Sequence, residues 1–362
     1  MKRVASAGLS RDYDVLVARG PLAALGDEAR RAAGGARAVV CCDENVAPLY
    51  LEAATGSLAT ADYEVSHIVV PAGERQKSLS RAGEMYGVLY DRGVRRSDLL
   101  VALGGGVIGD LAGFVAATYQ RGVRLVQAPT TLLAQVDAGI GGKVAVDFRA
   151  GKNYVGTFYQ PWLVVADPDA LGTLPAAELR SGAAEVAKYG LLAGGVLWTL
   201  AAELAAGGLT AGRVGDELVA ACAACKLDVV AADEREETGA RAVLNLGHTV
   251  GHAIEAATSF ARYSHGEAVG LGLHAALRLS RELCGLDEAV EQAGHALLDG
   301  LGLPGRLEGV PAQQVCALTA RDKKAGTDGV GYVLLDAIGA PRTGVRVPPA
   351  LELEVVEWLT LR

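Results

Sequence analysis

No stretch of this 362-residue sequence is long and apolar enough to span a membrane. The best candidate, 189–202, lies between Lys188 and Glu203 and falls short of the roughly 20 apolar residues a spanning helix needs, so it reads as one buried helix. The first residues, Met1-Lys2-Arg3-Val4-Ala5-Ser6, run on to Arg11 and Asp12 without the apolar core of a signal peptide, which predicts a cytoplasmic protein. A disulfide framework is missing too: six cysteines are scattered along the chain, and without an export signal reduced thiols are expected. Cys222 and Cys225 form a lone Cys-x-x-Cys in an Ala-rich helical stretch and read as packing residues. Nor is there an excess of positive charge. A formal net charge of −8 gives no global field to draw in nucleic acid or an anionic membrane, so any anion site must be local. Internal repeats, low-complexity tracts and long charge runs are absent as well.

What is present is a long chain, half of it apolar, about twice the length of one compact domain. Up to about residue 170, short β-rich runs (37–42, 65–70, 98–103, 123–128 and 162–166) alternate with helical ones, which predicts a mostly parallel sheet covered by helices. Beyond Pro175 long helical segments dominate, such as 211–227, 247–257 and 267–284, with few strand signals before 331–338. The expectation is an α/β chain with a Rossmann-like domain at 1–178 and a mainly α-helical domain at 179–362. A cleft between two such domains is the natural place for a site.

The strand at 98–103 leads into Gly104-Gly105-Gly106-Val107-Ile108-Gly109-Asp110, a G-x-G-x-x-G at a strand-to-helix turn. Glycines there let the backbone approach a pyrophosphate, and the following helix offers free N–H groups to it. The acidic residue expected about 20 positions on is missing; Asp43, after the first strand, can take its place. Polar clusters at two more strand ends, Pro71–Ser78 and Pro129-Thr130-Thr131, agree with a ligand at the carboxyl edge of the sheet.

Asn245-Leu246-Gly247-His248-Thr249-Val250-Gly251-His252 puts two histidines four apart, on one helical face. His265 and His274 follow, so four of six histidines fall within 27 positions. Spacing alone makes His248, His252 and His265 candidate metal ligands, with a hydrogen-bonded polar core as the alternative. Lysines and arginines recur in the same motifs, and cations beside a metal suit a substrate carrying phosphate and carboxylate.

Taken together, Gly104–Phe114, Gln127–Lys143, Gly151-Lys152-Asn153, Ala184–Gly190, Arg241–Glu255, His265–Val269 and Asp322-Lys323-Lys324 resemble the 3-dehydroquinate synthase family, in order and over nearly the whole chain. The resemblance implies bound NAD, a divalent metal (zinc, or cobalt) and a homodimer. It implies Glu185, His248 and His265 as metal ligands and moves His252 to the substrate phosphate. Positions matching the NAD site are Asp43, Gly73, Glu74, Arg75, Gln76, Lys77, Ser78, Gly105, Gly106, Val107, Ile108, Gly109, Asp110, Thr130, Thr131, Lys143, Lys152, Thr173, Leu174, Pro175 and Ala176. Those matching the substrate shell are Asp137, Lys143, Asn153, Lys188, Lys226, Arg241, Asn245, His252 and one of Lys323 or Lys324. Arg121 resembles an arginine that reaches the phosphate from a neighbouring subunit. Two departures stand near this site: Asp137-Ala138-Gly139 replaces the family's Asp-Ser-Ser, and Val144 its usual Thr.

The implied reaction turns 3-deoxy-D-arabino-heptulosonate 7-phosphate into 3-dehydroquinate and phosphate, in the shikimate pathway of aromatic amino acid biosynthesis. It proceeds by transient oxidation with NAD, phosphate elimination, reduction and aldol closure. The alternatives are a sister sugar-phosphate cyclase, acting on an amino analogue or a neutral sugar phosphate, and an NAD- and metal-dependent alcohol dehydrogenase, which would release NADH.

Overall fold

A computed structural model of the chain describes residues 1–149, 151–322 and 331–362, without the side chains of Pro21, Arg321 and Asp322. Lys323 and Lys324 lie outside the described residues. The chain packs as two compact units. The first joins Met1–Leu174 to Gly215–Arg235, and the second joins Pro175–Val214 to Glu236–Arg362.

The first unit contains strands β1 (Lys2–Ala5), β2 (Asp14–Val17), β3 (Arg37–Asp43), β4 (Glu64–Val70), β5 (Leu99–Gly104), β6 (Arg124–Pro129), β7 (Lys143–Phe148), β8 (Gly151–Phe158) and β9 (Leu163–Ala166). Its helices are α1 (Leu25–Ala32), α2 (Glu52–Thr60), α3 (Leu79–Asp91) and α4 (Gly106–Thr118). Seven strands form one sheet in the order β1-β2-β9-β6-β5-β3-β4, parallel throughout except for the β1–β2 pair. The β5 strand is buried along its whole length, as its unbroken apolar run requires of a strand covered on both faces. One apolar cluster, with Leu100, Ile108 and Leu111, and another, with Leu99, Val101 and Leu103, flank it. The chain moves outward from β3 to β4 and then to the other side of β3 with β5, so the order reverses between β3 and β5. That reversal opens a crevice at the carboxyl ends of these strands, where Asp43 and Gly104 stand. The β7–β8 hairpin lies outside the sheet.

The second unit carries α5 (Ala176–Ala193), α6 (Gly195–Gly207), α8 (His248–Ala257), α9 (His265–Cys284), α10 (Glu288–Gly300), α11 (Ala312–Asp322) and α12 (Pro349–Leu361), with a hairpin of β10 (Tyr332–Ala337) and β11 (Ala340–Val345). Among the described residues no helix is long and apolar enough to cross a membrane.

Two expectations are corrected. The stretch 189–202 is not one helix: Gly194 and Gly195 both take left-handed φ, which glycine adopts without strain, and they divide it between α5 and α6. The division at 178/179 also does not hold along the chain, because α7 (Asp216–Ala232) packs on β1 and β2 of the first unit. Helical periodicity shows that a segment is a helix, but not which body its buried face covers.

Candidate functional site

In the first unit, Gly105 is the N-cap of α4, with no side chain capping it. A Cβ on Gly105 would fall 2.9 Å from Thr131 Cγ2, so only glycine lets the β5 turn and the β6 turn come this close. Asp110, in the second turn of α4, is ion-paired at 2.5 Å with Lys77, itself 4 % exposed. Burial pushes the Asp110 carboxyl up, and Lys77 pulls it back down. Asp43 accepts from the Asn45 and Val46 N–H groups through Oδ1 (2.9 and 3.0 Å), which fixes its carboxylate at the end of β3. Thr173 is tied to Tyr50 by a 2.7 Å hydroxyl pair. Glycine turn, helix N-terminus and switch-point carboxylate thus share one sheet edge, a donor set that fits the pyrophosphate and ribose of a dinucleotide.

The same unit joins Asp137 to Lys226 of α7: Lys226 Nζ donates to the Asp137 carbonyl at 2.7 Å and to its carboxylate. Lys143, Lys152 and Asn153 lie exposed on the β7–β8 hairpin, which is tied to the Pro71–Ser78 loop by Asp147 N–H donating to Lys77 O (2.8 Å). Asn153 takes a left-handed φ of 54° while its N–H bonds Asp147 (2.8 Å). Arg121 is exposed.

In the second unit α5 supplies Glu185, fully buried. The start of α9 reaches it because Gly266 has no side chain: a Cβ there would fall 2.1 Å from Ser181 O, one helical turn before Glu185. Ser181 Oγ accepts the Gly266 N–H at 3.2 Å, and Ser264 with Glu267 closes a capping box at the start of α9. Gly247, left-handed at φ 78° and pressed on Leu273, sets α8 against α9. One ligand atom from each of Glu185, His248 and His265 then lies within 4.8 Å of the others.

The separations are informative. His248 Nε2 and His265 Nε2 stand 3.5 and 3.6 Å from Glu185 Oε1, long for hydrogen bonds. They approach the edge of about 3.3 Å between ligands of a tetrahedral cation with bonds of about 2.0 Å. His248 Nδ1 faces Leu246 O at 3.1 Å; a carbonyl only accepts, so the proton sits on Nδ1 and Nε2 keeps its lone pair for the site. Lys188 is ion-paired with Glu185. Burial lowers His248 to about 3, whereas His265, although also opposed by burial, is lifted to about 10 by Glu185 and Glu255. Glu185 thus draws positive charge from Lys188 and His265, charge of the kind a divalent cation brings. The donor set of one carboxylate and two imidazoles fits such a cation.

His252, one turn after His248, is exposed, with its ring edge-on to His248 at 5.3 Å. It also forms a second close trio with Glu255 and His265. Arg241 is buried and ion-paired with Glu236 at 3.5 Å; Asn245 is exposed. Glu255 is the residue that sequence reasoning left without a role. Its place at i+3 from His252 was visible, but its contact with His265 depends on how α8 and α9 cross.

Residues 67–181 match the family description "3-dehydroquinate synthase N-terminal", and residues 182–325 match "3-dehydroquinate synthase C-terminal". A 3-dehydroquinate synthase of Acidithiobacillus ferrooxidans is 44 % identical over 342 residues, covering 94 % of this chain and 93 % of that protein. Among solved structures, 2-epi-5-epi-valiolone synthase from Streptomyces hygroscopicus subsp. jinggangensis 5008, with NAD+ and Zn2+ bound, superposes with TM-score 0.87 at 30 % identity, covering 98 % of both chains. A 2-deoxy-scyllo-inosose synthase complexed with carbaglucose-6-phosphate, NAD+ and Co2+ gives 0.84 at 25 % identity, covering 99 % of both.

Proposed function

Because the chain belongs to the 3-dehydroquinate synthase family, we propose that it converts 3-deoxy-D-arabino-heptulosonate 7-phosphate to 3-dehydroquinate and phosphate in the cytoplasm, with NAD and one divalent cation. The observation that carries this reading is the Glu185–His248–His265 triad, with Glu185 and His248 buried and His265 partly so, beside Lys188, in a chain that also bears the dinucleotide turn.

Glu185, His248 and His265 would hold the cation, and the β3, β4, β5 and β6 loop ends the dinucleotide. When bound, NAD supplies a reversible hydride acceptor and the cation a Lewis acid that acidifies a hydroxyl. Asp137 orients the C5 hydroxyl and takes its proton, and Lys226 holds that carboxylate in place. His252 and Asn245 hold the phosphate and move protons beside it. Arg241, whose planar fork matches a carboxylate, binds the substrate acid with Lys226. Lys143, Asn153 and Lys188 add hydrogen bonds and positive charge where phosphate leaves. Arg121, exposed, serves the phosphate site of a second copy, so the working form is a homodimer.

The sister cyclases share NAD and a metal in their solved structures, and the substrate shell separates the readings. Arg241 and Asn245 favour a carboxylated substrate. Purified protein with NAD, zinc and 3-deoxy-D-arabino-heptulosonate 7-phosphate should release phosphate and 3-dehydroquinate in equal amounts without net NADH. Turnover of a neutral sugar phosphate alone would overturn the assignment.

A further inference from the structure

His265 carries two ring nitrogens, and each faces a buried carboxylate from a different helix. Nε2 lies 3.6 Å from Glu185 of α5, and Nδ1 lies 3.4 Å from Glu255 Oε2 of α8. Glu255 is 5 % exposed and follows His248 by seven positions, on the same face of α8. The two imidazoles are therefore held by unlike groups: His248 by a neutral backbone carbonyl, His265 by a carboxylate. A buried carboxylate is costly unless a proton donor meets it, and His265 offers one only through Nδ1.

We propose that Glu255 is a positioning residue of the metal centre. It accepts the Nδ1 proton of His265, fixes that tautomer, and aims Nε2 at the point shared with Glu185 and His248. An imidazole that donates to a carboxylate is also a more basic ligand than one that donates to a carbonyl, so His265 becomes the stronger of the two histidine ligands. This inference rests on the metal-centre reading above. It gives Glu255 no contact with the cation; a cation held by Glu255 itself would use the second trio, with His252.

The test is zinc affinity of the full-length protein, measured by competition with a chromophoric chelator, together with the visible spectrum of the Co2+-loaded form. Glu255→Gln should weaken zinc binding about 10–100-fold, the usual loss for such partners, and shift the Co2+ bands. Glu255→Asp should recover part of the affinity. Metal-free Glu255→Gln should still be folded at the assay temperature and melt in one cooperative transition, which would place the loss in the centre and not in folding. Unchanged zinc affinity in Glu255→Gln overturns the proposal. So does a loss in His252→Ala as large as in Glu255→Gln, which would make both residues ligands. If His248→Ala keeps full affinity, the centre itself is misassigned and the proposal falls with it.

Discussion

His274 and His295 meet Nδ1 to Nδ1 at 2.8 Å inside the second unit. Arg362 Nη1 donates to His274 Nε2 at 3.0 Å, so His274 carries its proton on Nδ1 and passes that hydrogen bond to His295. The His295 proton is then on Nε2, 3.5 Å from Glu291 Oε1, a carboxylate also paired with Arg278 and Arg281 (3.6 and 3.1 Å). Asp299 holds Arg362 from the far side at 2.7 Å. The chain of donors ties the end of α12 to α9 and α10, and it works only with both rings neutral. Burial, then Arg362 and His295, lower His274 to about 2, and burial chiefly lowers His295 as well. Both folded values lie below the unfolded value near 6.5. The unfolded state therefore binds protons first as pH falls, and stability declines from about pH 6.5 downward, by up to about 1.4 kcal/mol per pH unit for each ring. Urea unfolding between neutral and mildly acid pH should show this slope, and His274→Gln should flatten it. An equal slope in the variant would mean that other groups govern acid sensitivity.

The Lys77–Asp110 pair connects the loop after β4 to the second turn of α4, with Lys77 buried and Asp110 mostly so. Lys77→Met leaves Asp110 buried without that cation, which should cost about 3 kcal/mol of stability and weaken NAD binding. Adding Asp110→Leu should restore most of the stability but not the NAD affinity. Urea titrations and NAD binding isotherms on the three proteins check both parts, and a single variant as stable as wild type would contradict the argument.

Much of the architecture is legible in the sequence because its signals are local. Apolar runs such as Leu99–Leu103 demand burial on both faces, and Gly104–Gly109 marks the turn that follows. What escapes depends on contacts between distant segments. The β1 strand, KRVA, is too short and charged to read as a strand, yet it pairs with β2 in full register. The β7–β8 hairpin carries lysines and glycines where strands usually carry branched apolar residues. In the site, spacing favours His252 over Glu185 as a ligand, because His252 is four residues from His248 whereas Glu185 lies 63 positions earlier. Only the close passage of Gly266 over Ser181 sets Glu185 beside the histidines, and no periodicity encodes it.

That contrast gives a direct experiment. His248→Ala and His265→Ala should each lose tightly bound zinc, measured after dialysis by elemental analysis, and phosphate release with it. His252→Ala should keep one zinc per chain yet lose about 10²–10³ in turnover, the usual worth of a positioned proton-transfer group. Loss of zinc in His252→Ala with retention in His248→Ala would move the centre to the second trio.

Asp137 and Lys226 bear on the oxidation step. Lys226 bonds both the carbonyl and the carboxylate of Asp137, so the carboxylate is held in one orientation, from which it can take a proton from a hydroxyl. Asp137→Asn preserves shape and hydrogen bonding but removes that basicity, and should lower turnover about 10²–10⁴-fold with little change in substrate affinity. Because oxidation precedes elimination in the proposed sequence, the variant should also show no transient enzyme-bound NADH in stopped-flow absorbance. If NADH forms at the wild-type rate while phosphate release is slow, Asp137 acts after oxidation, and the proton of the C5 hydroxyl must leave through another group.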